Sequence, residues 1–206
     1  MPQTKTITIY TIDELKELSP KAYEKAYDWW REGLVYEWWD FVYEDFHRIC
    51  DILGITVKDI QFSGFWSQGD GARFTGSYKY VPGAVKAIKE YAPQDETLHR
   101  IARDLQLAQR YAFYRLVVNI DPGHYGGNYV HEKTVVFSGV GHYYSYSLTD
   151  NEQKALDGVE EALTDLMRWL YRNLEKEYEY LSSYEQFEES CEANGYLFDE
   201  HGDIQI

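Results

Sequence analysis

The chain is poor in cysteine, with only Cys50 and Cys191 among 206 residues. Both cysteines fall in helical patterns far apart in the sequence, which excludes a disulfide framework and a cysteine metal motif. No apolar stretch approaches the roughly 18 residues that a membrane span needs, and residues 1–5 lack the apolar core of a signal peptide. These features predict a protein of the reducing cytoplasm that has no membrane partner.

Positive charge is scarce in the last quarter of the chain. Residues 150–206 hold 16 acidic and 4 basic side chains and contribute −12 to the net charge of −15. Residues 1–149 hold 19 acidic and 16 basic side chains, a net charge of −3. An acidic segment repels nucleic acid and anionic membranes and attracts basic protein surfaces. The charge distribution therefore predicts a basic protein partner and no direct binding of nucleic acid.

Aromatic residues are abundant, with 20 Tyr and 6 Trp. Their rings are amphipathic, so they suit both the edge of a core and a recognition surface, and the sequence leaves both roles open.

Local patterns predict the helices. Thr11 begins a capping box, Ser19 followed by Pro20 begins a second helix, and apolar spacing of three and four predicts a helix over 32–53. Further helices are predicted over 82–91 and about 98–112. Another capping box at 149–152 opens the longest helix, which ends near residue 181, and Ser183 caps a last one.

Alternating residues predict the strands. Residues 6–10 are predicted to form a short strand, and 60–66 is predicted to pair with 72–80 across an Asp-Gly turn at 68–71. In the return strand, Arg73, Thr75, Ser77 and Lys79 face away from the buried side. Strands are also predicted at 115–120 and 134–137, with an extended segment at 143–147. Together the patterns predict a single α+β domain over 1–206, with an antiparallel sheet of about four strands, packed amphipathic helices and a long C-terminal acidic helix.

Two loop regions hold residue types that bind ligands elsewhere. The hairpin loop from Gln68 to Arg73 is rich in glycine, but it joins two strands instead of opening a helix, and Asp70 opposes phosphate. A tight hairpin turn and a recognition loop both fit it. His124, His131 and His142, with Asp121 and Glu132, lack the helical spacing of metal sites, so we predict no metal and no cofactor.

No catalytic signature is present. The acidic pairs follow the solvent side of amphipathic helices, whereas glycosidase carboxylates face each other across a cleft. Cys50 belongs to an apolar helical stripe and has no Cys/His signature around it.

The C-terminal helices instead combine acids with aromatics, and carboxylates on a rigid helix can imitate a phosphate backbone. The predicted partner-binding residues comprise the hairpin tip, the helical carboxylates and three Tyr anchors: Gln68, Asp70, Arg73, Glu175, Glu177, Tyr178, Glu179, Tyr180, Tyr184, Glu188 and Glu189.

Three segments, at 36–40, 62–76 and 193–202, resemble a group of small phage and prophage proteins. Some members of that group are labelled antitoxins of a toxin–antitoxin stability system. The resemblance implies an origin in a mobile element and a location in the host cytoplasm, and it implies no catalytic residues.

The sequence therefore predicts a non-enzymatic, phage-type acidic protein that binds and inhibits a basic, nucleic-acid-binding protein. The target would be a component of host defence, such as CRISPR or restriction machinery, or a toxin. The alternative is an enzyme or a nucleotide-binding protein that uses Asp70, Arg73 and the outward residues of the return strand, with His124 or His131. A direct DNA-binding repressor is disfavoured because no helix-turn-helix or basic stripe is visible.

Overall fold

The computed structural model describes residues 7–34, 37–123, 130–140 and 148–205. Within them the chain forms seven helices: α1 Ile12–Leu18, α2 Pro20–Glu32, α3 Asp40–Leu53, α4 Ala84–Tyr91, α5 Glu96–Arg110, α6 Asp150–Leu181 and α7 Tyr184–Asn194. The strands are β1 Ile55–Phe62, β2 Ala72–Lys79, β3 Val117–Pro122 and β4 Val135–Val140. The predicted α+β class and the long C-terminal helix are confirmed. The extended segment predicted at 143–147 lies outside the described residues.

Side-chain caps fix where the first two helices begin. Thr11 Oγ1 accepts from the backbone N–H of Glu14 at 3.4 Å, and the Thr11 N–H donates to the Glu14 carboxylate at 2.9 Å. Ser19 Oγ accepts from the N–H of Ala22 at 3.3 Å, and Pro20 takes the first helical position. Both predicted helix starts are confirmed.

The C-terminal helices begin at predicted caps as well. Thr149 and Glu152 bond each other reciprocally at 2.9 and 3.3 Å and open α6. Ser183 Oγ accepts from the N–H of Gln186 at 3.2 Å at the start of α7. Gly195 ends α7 in the left-handed conformation, with φ of 66°.

The four strands form one antiparallel sheet in the order β1-β2-β3-β4. The predicted alternation of β2 is confirmed, because one set of its residues is buried and the other set is half-buried or exposed. The buried set is Ala72, Phe74, Gly76 and Tyr78. The outward set is Arg73, Thr75, Ser77 and Lys79.

Gly76 is required by the pairing of β1 with β2. Its φ is 151°, and a Cβ added there would stand 1.9 Å from the carbonyl oxygen of Thr56. The register shifts between Val57 and Asp59 on the opposite strand. Only a residue without a Cβ leaves room for the bulged backbone to approach this closely.

The helix predicted over 32–53 is wrong at its start. Glu32 ends α2, the N–H of Gly33 bonds the carbonyl of Trp30 at 3.0 Å, and α3 begins only at Asp40. The apolar spacing was continuous across this boundary, so it could not separate two helices. The short strand predicted at 6–10 is also wrong, since within residues 7–10 only Tyr10 forms an isolated bridge, to Phe198.

The first hairpin is shifted from its prediction. Strand β1 covers 55–62 instead of 60–66, and the connection is a nine-residue loop over 63–71, longer than the predicted Asp-Gly turn at 68–71. The loop closes where the N–H of Ser63 donates to the carbonyl of Gly71 and the N–H of Gly71 donates to Ser63 Oγ, both at 3.0 Å. Phe65 leaves the strand because its ring packs against Tyr171 of α6, with centroids 5.5 Å apart.

The chain divides into two compact units. Unit 1 comprises Met1–Trp39 and Lys176–Ile206, and unit 2 comprises Asp40–Glu175. The single domain predicted over 1–206 stays a prediction. No helix among the described residues combines the length and the apolar composition that crossing a bilayer requires.

Each unit has its own core. In unit 2 the inner face of the sheet packs on helices, as Phe46 of α3 lies 5.4 Å from Phe74 and 6.5 Å from Trp169 of α6 between ring centroids. In unit 1 the core comprises Ile12, Leu15, Ala22, Tyr23, Ala26, Tyr27, Phe187, Cys191 and Phe198.

Candidate protein-interaction surface

Stacked aromatic side chains join α2 to α7 in unit 1. The ring of Tyr184 lies 4.3 Å from Tyr27 and 5.9 Å from Tyr23, and its hydroxyl donates to the Glu24 carboxylate at 3.0 Å. The fully buried Phe187 meets Tyr23 and Tyr27 edge-on. Tyr184 therefore has a structural role within the unit while 45% of its surface stays exposed.

The other two predicted Tyr anchors differ in exposure. Tyr178 is half-buried, and its ring lies 5.5 Å from Trp38. Tyr180 is 57% exposed, so it is the most accessible of the three predicted anchors.

Glu188 is neutralised inside unit 1. It forms an ion pair with Lys16 and accepts a hydrogen bond from the Tyr23 hydroxyl at 2.6 Å. These hydrogen bonds, first from Lys16 and then from Tyr23, lower the pKa of the Glu188 carboxyl. Burial, and then the carboxylate of Glu188, raises the pKa of Tyr23. Glu188 therefore holds α1, α2 and α7 together and offers little net charge to a partner.

Three other predicted carboxylates are not paired with a cation among the described residues. Glu179 and Glu189 are exposed and Glu177 is half-buried. Glu189 accepts a hydrogen bond from the neutral amide of Gln186 at 2.8 Å. None of the three forms an ion pair with a Lys, Arg or His among the described residues. They therefore remain as uncompensated negative charge on unit 1.

The two units differ in charge density. Unit 1 has 16 acidic and 6 basic side chains, a net charge of −10 in 70 residues. Unit 2 has 19 acidic and 14 basic side chains, a net charge of −5 in 136 residues. In unit 1, three of the six cations, Lys16, Lys25 and Arg31, already pair with acids of the same unit. Most of the electrostatic potential for attracting a cation therefore arises from unit 1.

Unit 1 also contains a groove of about 420 Å³. It lies between α2, the last turn of α6 and α7, and it is lined mainly by Trp29, Trp30, Leu34, Leu181, Gln186 and Tyr196. We call it the tryptophan groove.

Contacts within the unit hold the walls of the tryptophan groove. Trp30 Nε1–H donates to Ser190 Oγ at 3.1 Å, and the Trp30 ring packs 5.4 Å from Phe187. The Trp29 ring meets Tyr196 edge-on at 5.6 Å, yet 40% of its surface stays exposed. A rigid aromatic wall loses little side-chain entropy when it binds another group.

The predicted hairpin tip lies in unit 2, where its polar groups serve the loop. Asp70 accepts from the Ser67 N–H at 2.8 Å and so closes a turn in which Gly69 has φ of 93°. Gln68 is exposed within that turn. Trp66 precedes it with φ of 67° and is 65% exposed.

Arg73 links three parts of unit 2. Its Nε and Nη2 donate to Gln61 Oε1 at 3.1 and 2.7 Å, and its Nη1 donates to the carbonyl oxygen and the hydroxyl of Thr134, both at 3.0 Å. The guanidinium thus ties β1 and β2 to the start of β4. Asp70 and Arg73 have identified structural roles, and their use in ligand binding stays a prediction.

Glu175 is the last residue of unit 2. Burial, then the charges of Asp70 and Glu175, raise the pKa of Tyr171, whose hydroxyl donates to the Gly64 carbonyl at 3.3 Å. The eleven predicted residues therefore fall in both units: Gln68, Asp70, Arg73 and Glu175 in unit 2, the other seven in unit 1.

The candidate metal ligands are only partly described, because His124 and His142 lie outside the described residues. Glu132 pairs with Arg168 at 3.1 Å, and His131 Nδ1 accepts from the Lys133 N–H at 3.2 Å. Among the described residues, no three His, Cys, Asp or Glu side chains are grouped to hold a metal ion.

Both cysteines are buried thiols. Burial raises the pKa of Cys191 to about 12 and that of Cys50 well above its ordinary value. This is the opposite of the shift that activates a nucleophilic thiol.

The tryptophan groove was missed by sequence reasoning. Trp29 and Trp30 follow a well-capped helix start, but periodicity assigns such residues to a core as readily as to a surface. The adjacent pair gave no decisive signal either, because neighbouring helix positions can both be buried, as Ala26 and Tyr27 are on the same helix.

A family model described as "Domain of unknown function (DUF8835)" matches residues 38–184. Neither a curated protein nor a solved structure matches the chain. The resemblance to phage and prophage proteins stays a prediction. The chain belongs to the DUF8835 family.

Proposed function

We propose that this member of the DUF8835 family is a non-enzymatic protein that binds a basic, nucleic-acid-binding protein through unit 1 and inhibits it. The observation that carries the proposal is the net charge of −10 in unit 1, with Glu177, Glu179 and Glu189 unpaired among the described residues. A nearby cationic surface would lower the electrostatic energy of these charges.

Inhibition follows from the chemistry of the carboxylates. The Lys and Arg side chains that bind phosphate oxygens also bind carboxylates, and Arg does so in a bidentate manner. A helix that presents several carboxylates therefore competes with a phosphate backbone for the same cations. The resemblance to phage proteins favours a host-defence component or a toxin as the target.

The first test asks whether a cationic peptide is attracted by the carboxylates of unit 1 or by the total negative charge of the protein. The probe is a fluorescein-labelled peptide of alternating Lys and Ser, and its affinity is measured by anisotropy. Glu177→Gln, Glu179→Gln and Glu189→Gln together remove three charges from unit 1. A matched triple variant, Glu44→Gln, Asp51→Asn and Glu161→Gln, removes three exposed charges from unit 2.

We expect the unit 1 variant to bind the peptide about tenfold more weakly and the unit 2 variant to change by less than about twofold, from loss of local attraction worth about 1.4 kcal/mol. The unmodified protein should also displace the peptide from a single-stranded DNA oligonucleotide. Equal losses in the two variants would show that only the total charge matters and would overturn the proposal.

A further inference from the structure

The tryptophan groove has features that charge attraction alone does not use. Carboxylates on a surface attract cations without any need for a concave apolar site. Yet Trp29 remains 40% exposed next to Trp30, Leu34 and Leu181 in a groove of about 420 Å³. A cavity of this size accommodates a large side chain, and an exposed aromatic wall is typical of the centre of an interface.

The groove is built before any partner binds. The bond from Trp30 to Ser190 fixes one wall, and Asn194 Nδ2 donates to the Ser190 carbonyl at 2.8 Å. Trp29 is fixed against Tyr196. Because these rings are already ordered, binding an apolar group there requires little further ordering.

Carboxylates stand around the groove on all three helices. Glu177 precedes the lining residue Leu181 by four positions on α6, and Glu32 follows Trp29 by three positions on α2. Residues at these spacings share a helix face. On α7, Glu189 is bonded to the lining residue Gln186. Arg31, three positions before the lining residue Leu34, is the nearest cation by the same spacing, and it is paired with Asp28. The groove therefore combines tryptophan and leucine walls with the polar Gln186 and Ser190, and carboxylates lie beside it on all three helices.

We propose that the tryptophan groove seats one large apolar side chain, aliphatic or aromatic, from a partner segment in which that residue is flanked by Lys or Arg. This inference rests on the proposed function, because it assigns the apolar anchor of the same basic partner. An apolar anchor inside a ring of charge pairs is the arrangement of an interface hot spot.

Charge complementarity favours this occupant over a second copy of the chain. Unit 1 carries a net charge of −10. Two copies that met at their grooves would bring Glu32, Glu177 and Glu189 of each chain together, and like charges at an interface are destabilising. A cationic segment relieves that repulsion while its apolar side chain fills the groove.

The test uses two twelve-residue peptides that differ at one position. Both carry alternating Lys and Ser, and the central residue is Trp in the anchored peptide and Ser in the plain peptide. Trp29→Ala removes one wall, and Gln186→Phe fills the groove without a change of charge. Phe41→Ala, which truncates an 80% exposed aromatic of unit 2, is the control.

The expected result is that the anchored peptide binds the unmodified protein about tenfold more tightly than the plain one. Both groove variants should abolish that preference and leave the affinity for the plain peptide within about twofold, while Phe41→Ala changes neither. If Trp29→Ala does not fold, as judged by its thermal melt, Gln186→Phe gives the same comparison.

The two hypotheses fail differently. If both peptides bind equally and the groove variants change nothing, the groove inference is overturned and the proposed function stands. If neither peptide binds at low salt, both are overturned. Sedimentation velocity tests whether the chain associates with itself through the groove. Self-association that Gln186→Phe abolishes would identify a second copy as the occupant and overturn the inference.

Discussion

The two units use charged side chains in different ways. In unit 2, Arg73 donates four hydrogen bonds to Gln61 and Thr134, and Arg168 bridges Glu132 and Asp165. In unit 1, acids outnumber bases by 16 to 6, and half of those bases are already paired. Unit 2 therefore satisfies much of its charge internally, whereas unit 1 leaves a large surplus that another molecule can neutralise.

This difference shows why residue type alone does not identify a binding residue. Glu188 and Glu189 are neighbours in sequence and equally acidic. Glu188 is committed to Lys16 and Tyr23, while Glu189 bonds only a neutral amide among the described residues. The availability of a carboxylate depends on the tertiary partners that surround it.

The largest effect is expected from a backbone clash in unit 2. Gly76→Ala should destabilise this unit by more than about 4 kcal/mol, because the new Cβ meets the Thr56 carbonyl oxygen at 1.9 Å. Gly83→Ala is the control: Gly83 has φ of 87° with open space around it, so we expect a loss of only about 1 kcal/mol. Hydrogen exchange measures both, and similar losses at the two positions would contradict this account of the β1–β2 bulge.

The next largest effect is expected from a cavity in the core of unit 1. Phe187 is fully buried, so Phe187→Ala should cost about 3–4 kcal/mol of stability through lost packing and the cavity left behind. Amide protection in 7–34 and 184–198 should fall first in hydrogen exchange. An unchanged protection pattern would mean that Phe187 does not organise the core of unit 1.

Substitution of Arg73 tests whether this residue stabilises unit 2 or contacts a partner. Arg73→Ala should cost about 2 kcal/mol in denaturant unfolding, because Gln61 and Thr134 lose the donors that they accept from. Affinity for the Lys/Ser peptide should change by less than about twofold. A large loss of affinity with unchanged stability would restore the hairpin as a contact surface.

Glu188 should make the stability of unit 1 depend on pH. Its pKa is lowered in the folded state, so its contribution is present above the ordinary Glu pKa of about 4.3 and is lost as pH falls through the folded value. Glu188→Gln should cost about 1 kcal/mol at pH 7. In thermal melts from pH 7 to pH 3, the stability difference between the unmodified protein and Glu188→Gln should shrink below about pH 4. A difference that stays constant with pH would show that ionised Glu188 does not stabilise unit 1.

The smallest effect is expected at an exposed ion pair. Lys25 and Asp203 lie 2.5 Å apart, with side chains 52% and 55% exposed. Lys25→Ala should change stability by less than about 0.5 kcal/mol, since exposed pairs are screened by water and salt. Equilibrium urea unfolding measures this difference, and a loss above about 1 kcal/mol would mean that the pair organises the C-terminal tail.

Much of the fold could be predicted from local signals. Helix caps and strand alternation depend on residues that are close in the sequence, so local patterns predict them. This holds for the caps at Thr11, Ser19, Thr149 and Ser183 and for the alternation of β2. The shifted hairpin could not be predicted, because its nine-residue loop is held by the distant ring of Tyr171 and by Val130, which accepts from the Ser63 hydroxyl.

The candidate surface was predictable only in part. The acidic character of α6 and α7 follows from composition, and Tyr180 and Glu179 are exposed as a partner-binding role requires. The tryptophan groove depends on how α2 packs against α7, which no local pattern contains. Likewise, the pairing of Glu188 with Lys16 joins residues 172 positions apart.

Amide chemical-shift perturbation at low salt shows directly whether the Lys/Ser peptide binds unit 1. We expect the largest shifts to fall within 20–34 and 177–196 and to fade between about 50 and 500 mM salt, because salt shortens the range over which the charges act. Shifts concentrated at 63–73, or spread over the acids of unit 2, would contradict this expectation.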